Sequence, residues 1–473
     1  MAQTFFFYDL ETSGLNARDD RIMQFAGQRT DMDLNPIGEP YNLLVKLNDD
    51  TLPSPEAVMV TGITPQSTLA DGLTEAELAD LLIKEVFAPE TITVGFNNVR
   101  FDDEFIRHLF WRTFRDPYEW CWKDGCSRWD ILDVIRMTRA LRPEGIEWPV
   151  DTEGKATNRL ELITKVNGIG HDNAHDALSD VTALIDVTKL LKQKQPKLFD
   201  YLFSVRDKKA VQKLVNLDNK QPFVYTSGRY DAQFDKTTVA FPLTGGANGN
   251  VVVYDLRHDP ADFVDLTEAE LSKRMYASWD ERKAEGLVPL PAKTLQYNRC
   301  PAVAPLGVLE QEDGWKKIGL TLDLVEKHKA ALVARPDFAE RIRSLVEKKP
   351  EYPAQKDAEG RLYDGFINGP DKVRIEAVRN ADAKTLADFH PNFDDERLED
   401  LLLRYKARNY PNTLSEDEVR RWESWRSERL TTRLPNYLSS LQRLVTTADD
   451  SKRFLLEELQ LWAEAIVPVS DDF

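Results

Sequence analysis

Residues 5–14 read FFFYDLETSG. Four large apolar or aromatic side chains in succession are typical of a buried strand. The strand ends in Asp9 and Glu11, which lie on one face because successive side chains of a strand alternate between its two faces. Two like charges on one face of a buried strand are costly without a counter-charge, and a divalent cation with oxygen ligands is the simplest one. The alternative is an edge strand that carries two solvated acids.

The length and charge of the chain set the class of protein. At 473 residues it is too long for one hydrophobic core, and about two to four domains are expected. No apolar run approaches the roughly 18–20 residues that a membrane span needs, so we expect no membrane partner. Residues 1–4 show no basic region ahead of an apolar segment, which favours a cytoplasmic protein. The net charge of −18 argues against coating nucleic acid by bulk electrostatics, but a nucleic-acid enzyme with a locally basic groove stays possible.

The three cysteines of this long chain are an odd number, and they predict free thiols in a reducing compartment. Cys121 and Cys126 have no nearby Cys/His pair to complete a zinc site, so we expect no zinc there.

A third carboxylate follows in residues 91–105, which predict an apolar strand, an Asn-rich turn and a helix that begins at about Phe101. Asp102 then falls in the first helical turn beside a strand end, where it could join the first two acids. The alternative is that Asp102 and Asp103 are only favourable acids at a helix N-terminus. We expect this of one of the two.

The fourth element is a helix predicted to begin near Asp176, from the apolar spacing of residues 177–187. His175 lies at the junction of loop and helix, and Asp180 lies one turn inside, on a face that can turn toward the same sheet edge. A lone histidine before a helix is usually a cap or a surface residue. Here it stands at a fixed spacing from an acid.

Guanidinium groups and aromatic rings alternate between residues 107 and 142. The members of this stretch are Arg107, Trp111, Arg112, Arg115, Tyr118, Trp120, Trp122, Arg128, Trp129, Arg136, Arg139 and Arg142. Stacking platforms between phosphate-binding groups are typical of a site for single-stranded nucleic acid. Alternatively the tryptophans belong to the core, and we expect this of about half of them.

The remaining pattern divides the chain into a mixed first part, a β-rich middle and a helical end. Residues 21–30 and 41–47 predict strands that give a mixed sheet an antiparallel start, residues 74–87 a helix capped by Thr74, and residues 127–141 an amphipathic helix. After a boundary at about 196–202, strands are predicted at 223–226, 238–243 and 251–256, with a helical insertion at about 266–286. The helices predicted after residue 320 are 322–335, 337–348, 383–387, 395–406, 415–428, 434–446 and 451–465, with a linker at 349–353.

Three motifs carry a family resemblance. D-x-E at residues 9–11, N-x-x-F-D at residues 98–102 and H-x-x-x-x-D at residues 175–180 resemble, in order and spacing, the motifs of the DEDDh exonucleases. Those enzymes are 3′→5′ exonucleases built on an RNase H-like mixed sheet.

Further stretches resemble the bacterial exodeoxyribonuclease I family: VRFDDE at residues 99–104, LRPEGIEWP at 141–149 and RYKARNYP at 404–411. The likeness extends over essentially the whole chain and is weakest between about 225 and 320. It implies an α/β fold with a DEDDh exonuclease domain at residues 1–198, an SH3-like β-rich domain at 199–349 and an α-helical domain at 350–473.

The resemblance also implies the chemistry. Asp9, Glu11, Asp102 and Asp180 would hold two Mg²⁺ ions, which Mn²⁺ could replace, and His175 would take the proton from the attacking water. The substrate would be single-stranded DNA, degraded to 5′-mononucleotides in repair and recombination. The substrate contacts implied by the family are Glu11, Arg107, Tyr118, Trp122, Arg136 and Arg159.

The resemblance implies one protein partner, the acidic C-terminal tail of the single-stranded-DNA-binding protein, at a pocket that includes Arg142 and Tyr201. It also implies a monomer. Two alternatives remain at this point. An RNA-directed relative of the same fold is one, although such nucleases are usually much shorter. A catalytically silent scaffold is the other, which an incomplete acidic set would favour.

Overall fold

The computed structural model describes residues 2–171, 176–348 and 355–468. The strands in these residues are β1 (Thr4–Thr12), β2 (Ile22–Thr30), β3 (Pro36–Leu44), β4 (Thr91–Gly95), β5 (Ser127–Asp130), β6 (Phe223–Thr226), β7 (Thr237–Gly245), β8 (Val251–Asp255), β9 (Ala292–Leu295) and β10 (Ala302–Pro305).

The helices fall in two groups along the chain. Up to residue 285 they are α1 (Pro55–Thr61), α2 (Pro65–Asp71), α3 (Glu75–Leu81), α4 (Asp102–Arg112), α5 (Ile131–Leu141), α6 (Leu160–Val166), α7 (Ala177–Lys194), α8 (Pro196–Ser204), α9 (Lys208–Leu214), α10 (Glu268–Tyr276) and α11 (Trp279–Glu285). Beyond it they are α12 (Gly314–Lys317), α13 (Leu322–Val333), α14 (Pro336–Glu347), α15 (Gly369–Asn380), α16 (Ala383–Ala387), α17 (Glu396–Asn409), α18 (Glu416–Val445) and α19 (Asp450–Ile466).

The chain divides into two compact units. The first contains the described residues of 1–127, 171–182 and 353–473, and the second those of 128–170 and 183–352. No helix among the described residues is both long and apolar enough to cross a lipid bilayer.

A mixed sheet forms the centre of the first unit. Among the described residues of this unit, four strands are ordered β3-β2-β1-β4. β1 pairs antiparallel with β2 and parallel with β4, and β2 pairs antiparallel with β3. Phe6, Tyr8 and Leu10 of β1 are buried in an apolar cluster with residues of α3 and α4. The predicted mixed sheet with an antiparallel start is therefore confirmed.

The C-terminal helices of the first unit pack against α1 in a second apolar cluster. Leu430, Tyr437 and Leu441 of α18 share an apolar cluster with Leu459 of α19 and Val58 of α1. This part of the chain contains no strand among its described residues, as the sequence predicts.

The second unit contains an antiparallel sheet. Among the described residues its order is β10-β6-β7-β8-β9. The predicted strands at 223–226, 238–243 and 251–256 are present as β6, β7 and β8, and the helical insertion is present as α10 and α11. Val224, Val239 and Val252 are fully buried, as expected for strands that form a core.

Four predicted elements are wrong in part. Residues 127–141 are not one helix, because the edge strand β5 occupies 127–130 and α5 begins after Asp130, whose carboxylate accepts a hydrogen bond from the Leu132 amide. The strand predicted at 41–47 lies at Pro36–Leu44, because its register is set by pairing with β2 and not by its own mostly exposed side chains. The two helices predicted at 415–428 and 434–446 are the single α18.

Pro435 lies inside α18. A proline there removes one backbone hydrogen bond and favours a break. The apolar cluster shared with α1 and α19 buries residues on both sides of the proline, and this burial holds the helix together.

The predicted helix cap, domain boundary and linker have different outcomes. Thr74 caps α3 as predicted, and its side chain and that of Glu77 form a reciprocal capping box. The boundary at 196–202 is itself helical, as α8, and the sequence analysis missed β9, β10 and α15. The linker at 349–353 lies outside the described residues.

Candidate active site

Three acids of the motifs lie close together: β1 carries Asp9 and Glu11, and α7 carries Asp180. Among the described residues, one carboxylate oxygen each from Asp9, Glu11 and Asp180 lie within 4.8 Å of one another. All three residues are half-buried. Asp9 and Glu11 share a face of β1 because the strand alternates its side chains, as predicted. Asp180 lies in the first turn of α7. Three of the carboxylates that the motifs single out therefore lie together in the structure.

Asp102 begins α4 and is 4% exposed. After burial, the charge of Asp102 is the next cause that raises the pKa of Asp9 well above its usual value, followed by the charge of Asp180. Asp102 therefore belongs to the same electrostatic cluster. Its neighbour Asp103 has a structural role, because it accepts a hydrogen bond from the Tyr8 hydroxyl at 2.5 Å. The expectation that one of these two acids is structural agrees with this arrangement.

Glu11 has a raised pKa because it is buried among other acids. Burial, followed by the negative charges of Asp9, Asp180 and Asp176, raises its pKa to about 9. Such a cluster resists ionisation unless a cation compensates the charge. Oxygen donors alone favour a hard ion such as Mg²⁺ or Mn²⁺.

The raised pKa of Glu11 gives the first prediction. In EDTA, the stability of the first unit should fall as the pH rises from about 5 to 9, because folded Glu11 holds a proton that the unfolded chain, with a pKa near 4.3, has released. Glu11→Gln should flatten this dependence, and Mg²⁺ should stabilise the wild type most at the upper end. Urea unfolding followed by circular dichroism at each pH measures both. Equal slopes for wild type and Glu11→Gln would contradict the prediction.

The histidine of the third motif, His175, lies outside the described residues. His171 lies within them, and its Nε2 is 2.5 Å from Asp180 Oδ1. The sequence analysis gave His171 no role. No sequence signal marked it, because the spacing of His175 to Asp180 already accounted for the motif.

A cleft of about 200 Å³ is lined by residues that follow β1 and by residues at the start of α4. Leu15 and Arg18 follow β1, and Phe101 precedes Asp102. His108 also lines the cleft, and its Nε2 has no hydrogen-bond partner among the described residues. Burial lowers the pKa of His108 to about 4, so its ring is neutral at pH 7.

Four of the predicted substrate residues lie in the first unit, namely Glu11, described above, and Arg107, Tyr118 and Trp122. Arg107 pairs with Glu104 at 2.9 Å, and its guanidinium carbon lies 5.8 Å from the centre of the Tyr118 ring. Trp122 is 63% exposed. The structure thus brings Arg107 and Tyr118 together and leaves the Trp122 ring at the surface.

Two aromatic residues that the sequence analysis missed extend this surface. The ring centres of Tyr363 and Phe366 lie 6.4 and 6.3 Å from that of Tyr118. Tyr363 donates a hydrogen bond to Glu104 Oε2 at 2.5 Å, and Phe366 is 92% exposed. We call Arg107, Tyr118, Tyr363 and Phe366 the aromatic patch. Its later members are 245 or more positions from Tyr118 along the chain, which no local pattern reveals.

The other predicted binding residues lie in the second unit. Arg136 pairs with Asp133 at 2.7 Å, and Arg159 is exposed and pairs with Glu161. Arg142 donates hydrogen bonds to the carbonyls of Leu141 and Val308, and its Nε lies 3.4 Å from Glu312. Burial raises the pKa of Tyr201 to about 12.

Much of the Arg- and aromatic-rich stretch has a structural role. Trp111, Trp120 and Trp129 are at most 6% exposed, so the buried share of the four tryptophans exceeds the predicted half. Arg112 is buried and bonds Glu75 through Nε at 3.1 Å and Nη2 at 2.5 Å. Among the described residues, Cys121, Cys126 and Cys300 form no disulfide bond.

Comparison with known families decides the assignment. Family models described as Exonuclease, Exonuclease I SH3-like domain and Exonuclease I C-terminal domain match residues 6–188, 206–348 and 356–466. A curated relative, the exodeoxyribonuclease I of Haemophilus influenzae, is 40% identical over 96% of both chains. The chain belongs to the exodeoxyribonuclease I family. It is therefore an exonuclease, and the predicted α/β exonuclease fold with an SH3-like and a helical C-terminal part is confirmed.

Solved structures of exonuclease I have the same fold as this chain. Escherichia coli exonuclease I in complex with a dA16 oligonucleotide superposes with a TM-score of 0.94 at 37% identity, covering 98% of this chain and 100% of that one. A zinc-ion-bound form of the complex of the same enzyme with single-stranded DNA has a TM-score of 0.93 at 37% identity, with the same coverage.

Proposed function

We propose that this protein is a Mg²⁺-dependent 3′→5′ exonuclease that degrades single-stranded DNA to 5′-mononucleotides in DNA repair and recombination. The observation that carries the proposal is the convergence of the Asp9, Glu11 and Asp180 carboxylates within 4.8 Å, beside the buried Asp102. The E. coli relative that binds a dA16 oligonucleotide supports DNA as the substrate.

The donor set fits a pair of hard divalent ions. Asp9, Glu11, Asp102 and Asp180 offer only carboxylate oxygens, which suit Mg²⁺ and, as a substitute, Mn²⁺. When bound, two such ions supply a nucleophile at neutral pH and stabilise the leaving 3′-oxygen. We assign His175 as the general base that takes the proton from the attacking water, a role suited to an imidazole at cellular pH.

The aromatic patch and the cleft suggest how the strand is bound. Tyr118 and Phe366 offer ring faces to successive bases, and Arg107 offers a guanidinium group to a phosphate. The cleft between Leu15 and Phe101 would receive the 3′-terminal nucleoside. Trp122, Arg136 and Arg159 are the further substrate contacts that we propose, together with Glu11.

The remaining family expectations are also part of the proposal. The domains are taken as residues 1–198, 199–349 and 350–473, in a cytoplasmic monomer. Arg142 and Tyr201 would bind the acidic C-terminal tail of the single-stranded-DNA-binding protein, because a guanidinium group and an aromatic ring suit a carboxylate-rich apolar peptide end.

The test uses 5′-labelled single-stranded DNA, blunt duplex DNA and single-stranded RNA, each with Mg²⁺ and with EDTA. We expect rapid shortening of the single-stranded DNA from its 3′ end in Mg²⁺ only, with the other two substrates largely spared. Preference for RNA would replace the proposal with an RNA-directed nuclease. Tight binding without cleavage in Mg²⁺ or Mn²⁺ would leave only a scaffold.

The exposed ring of Phe366 gives a further prediction. Phe366→Ala should raise the dissociation constant for an oligothymidylate about 5- to 150-fold, because a stacked base contributes roughly 1–3 kcal/mol. Fluorescence anisotropy with a labelled oligonucleotide in EDTA measures binding without cleavage. The matched control is Phe454→Ala, which removes a 60% exposed ring from α19 of the same unit. Equal affinities for the two variants would remove Phe366 from the DNA path.

A further inference from the structure

Tyr8 and Asp103 form a buried polar contact beside the candidate active site. The Tyr8 hydroxyl donates a hydrogen bond to Asp103 Oδ1 at 2.5 Å, and Asn98 Nδ2 donates to the same oxygen at 3.4 Å. Tyr8 is 1% exposed and Asp103 is fully buried. The Tyr8 ring lies in the apolar cluster that includes Phe105, so the contact has no access to bulk water. A polar pair in such surroundings is strongly oriented.

Each residue of the pair is also a sequence neighbour of a carboxylate of the site. Tyr8 directly precedes Asp9 on β1, and Asp103 directly follows Asp102 in the first turn of α4. The hydrogen bond therefore joins two elements, 95 residues apart in the chain, at the point where each presents a carboxylate to the site.

The backbone pairing of β1 with β4 does not extend to this point. The parallel ladder between β1 and β4 runs from Thr4 to Phe7, where its last pair is Phe7 with Val94. The chain then leaves β4 and passes through Asn97, which has a φ of 66°, before α4 begins. The Tyr8–Asp103 hydrogen bond joins β1 to α4 one residue beyond the last pair of that ladder.

We propose that Tyr8 and Asp103 are positioning residues that set the separation of Asp9 and Asp102 and thereby the affinity for divalent cations. The inference rests on the proposed function, since it takes Asp9 and Asp102 to be metal ligands. Mg²⁺ accepts little departure from octahedral geometry at short metal–oxygen distances, so a displaced carboxylate weakens binding. Groups that orient ligands in this way affect metal affinity without touching the ion.

Tyr8→Phe tests the proposal, because it removes only the hydroxyl. We expect the dissociation constant for Mn²⁺, measured by isothermal titration calorimetry without DNA, to rise about 10-fold, as is typical for groups that orient metal ligands. The Mg²⁺ concentration that gives half the maximal rate should rise in parallel. The KM for the oligonucleotide should stay within about threefold of wild type, because Tyr8 is buried away from the DNA surface.

Tyr437→Phe is the matched control. Its hydroxyl donates a buried hydrogen bond to the Leu459 carbonyl at 2.8 Å in the same unit, remote in sequence from every carboxylate of the site. Both variants lose a buried hydrogen bond, and only Tyr8→Phe should lose cation affinity. If both lower the unfolding midpoint and neither changes the Mn²⁺ dissociation constant, Tyr8 has a purely structural role and the proposal is overturned.

Two further variants keep the test decisive if Tyr8→Phe does not fold. Asp103→Asn keeps an oxygen that can accept from Tyr8 and should bind Mn²⁺ nearly as wild type does, whereas Asp103→Ala should bind it more weakly. Equal affinities in these two variants would overturn the proposal. Failure of the proposed function is a different result, because the wild type itself would then neither bind Mn²⁺ nor require a cation for hydrolysis.

Discussion

Asp9→Ala is expected to abolish hydrolysis of single-stranded DNA while leaving the protein folded and able to bind the strand. Asp9 is central to the carboxylate cluster, since the charges of both Asp102 and Asp180 raise its pKa. We expect a rate at least about 10³-fold below wild type, because the lost group would contact both ions, each of which stabilises the transition state by several kcal/mol. Release of mononucleotides in Mg²⁺ measures the rate.

The control for Asp9→Ala is Glu39→Ala, which removes an exposed acid from β3 of the same sheet. Its rate should match that of wild type. In EDTA both variants should bind a labelled oligonucleotide as wild type does, because the aromatic patch is unchanged in both. Near-normal turnover by Asp9→Ala would contradict the metal-ligand assignment.

Arg408→Gln is expected to produce the largest loss of stability. Arg408 Nη2 lies 2.6 Å from both Asp50 Oδ2 and Glu359 Oε1, and all three side chains are at most 4% exposed. Arg21 Nη2 reaches Glu359 Oε2 at 2.6 Å in the same network. Removing one partner leaves buried charges uncompensated, which costs about 3–5 kcal/mol. Urea unfolding followed by tryptophan fluorescence suits the measurement, because Arg408 lies near the Trp422 ring.

Arg420→Gln is the matched control, because the same substitution breaks an exposed pair with Asp417 at 3.3 Å. Exposed pairs contribute less than about 1 kcal/mol. Equal losses in the two variants would show that the buried network does not stabilise the unit.

The network also predicts a pH dependence. Burial alone would raise the pKa of Glu359, but the charges of Arg408, Arg21 and Arg404 outweigh it and hold the pKa well below its usual value. Because the folded pKa is depressed, this stabilisation is complete above the unfolded pKa of about 4.3 and is lost as the pH falls below it. Arg408→Gln should therefore lose less stability than wild type between about pH 5 and 2.

The RYKARNYP stretch shows what a family signature leaves unexplained. The sequence identified residues 404–411 as part of the resemblance, but gave no reason for its arginines. In the structure Arg404 bonds Asp357 at 2.7 Å and Arg408 bonds Asp50 and Glu359. Arg408 therefore joins α17 to the strand-rich part of the first unit through Asp50, whereas Arg404 bonds within the C-terminal part. The partners of Arg408 lie 358 and 49 positions away, and nothing in the local pattern points to them.

The arginines and tryptophans between residues 107 and 142 carry the same lesson. Their composition is equally consistent with a DNA surface and with a core. Arg112 is used to neutralise buried Glu75, Arg107 faces the Tyr118 ring, and Trp122 remains exposed. Burial separates these roles, and burial depends on which elements cover a residue.

The sequence by itself determined the family and the grouping of three carboxylates. Strand alternation places Asp9 and Glu11 on one face, and helix phase places Asp180 one turn into α7, so local periodicity was sufficient. Only the tertiary structure decided the contacts of Tyr8, Asp103, Tyr363, Phe366 and Arg408. Each of these acts through a partner 95 or more positions away, or 49 in the case of Glu359. Contacts of that range follow from the packing of whole elements. A periodic pattern can be read from neighbouring residues, but which distant residues meet is set only when the chain has folded.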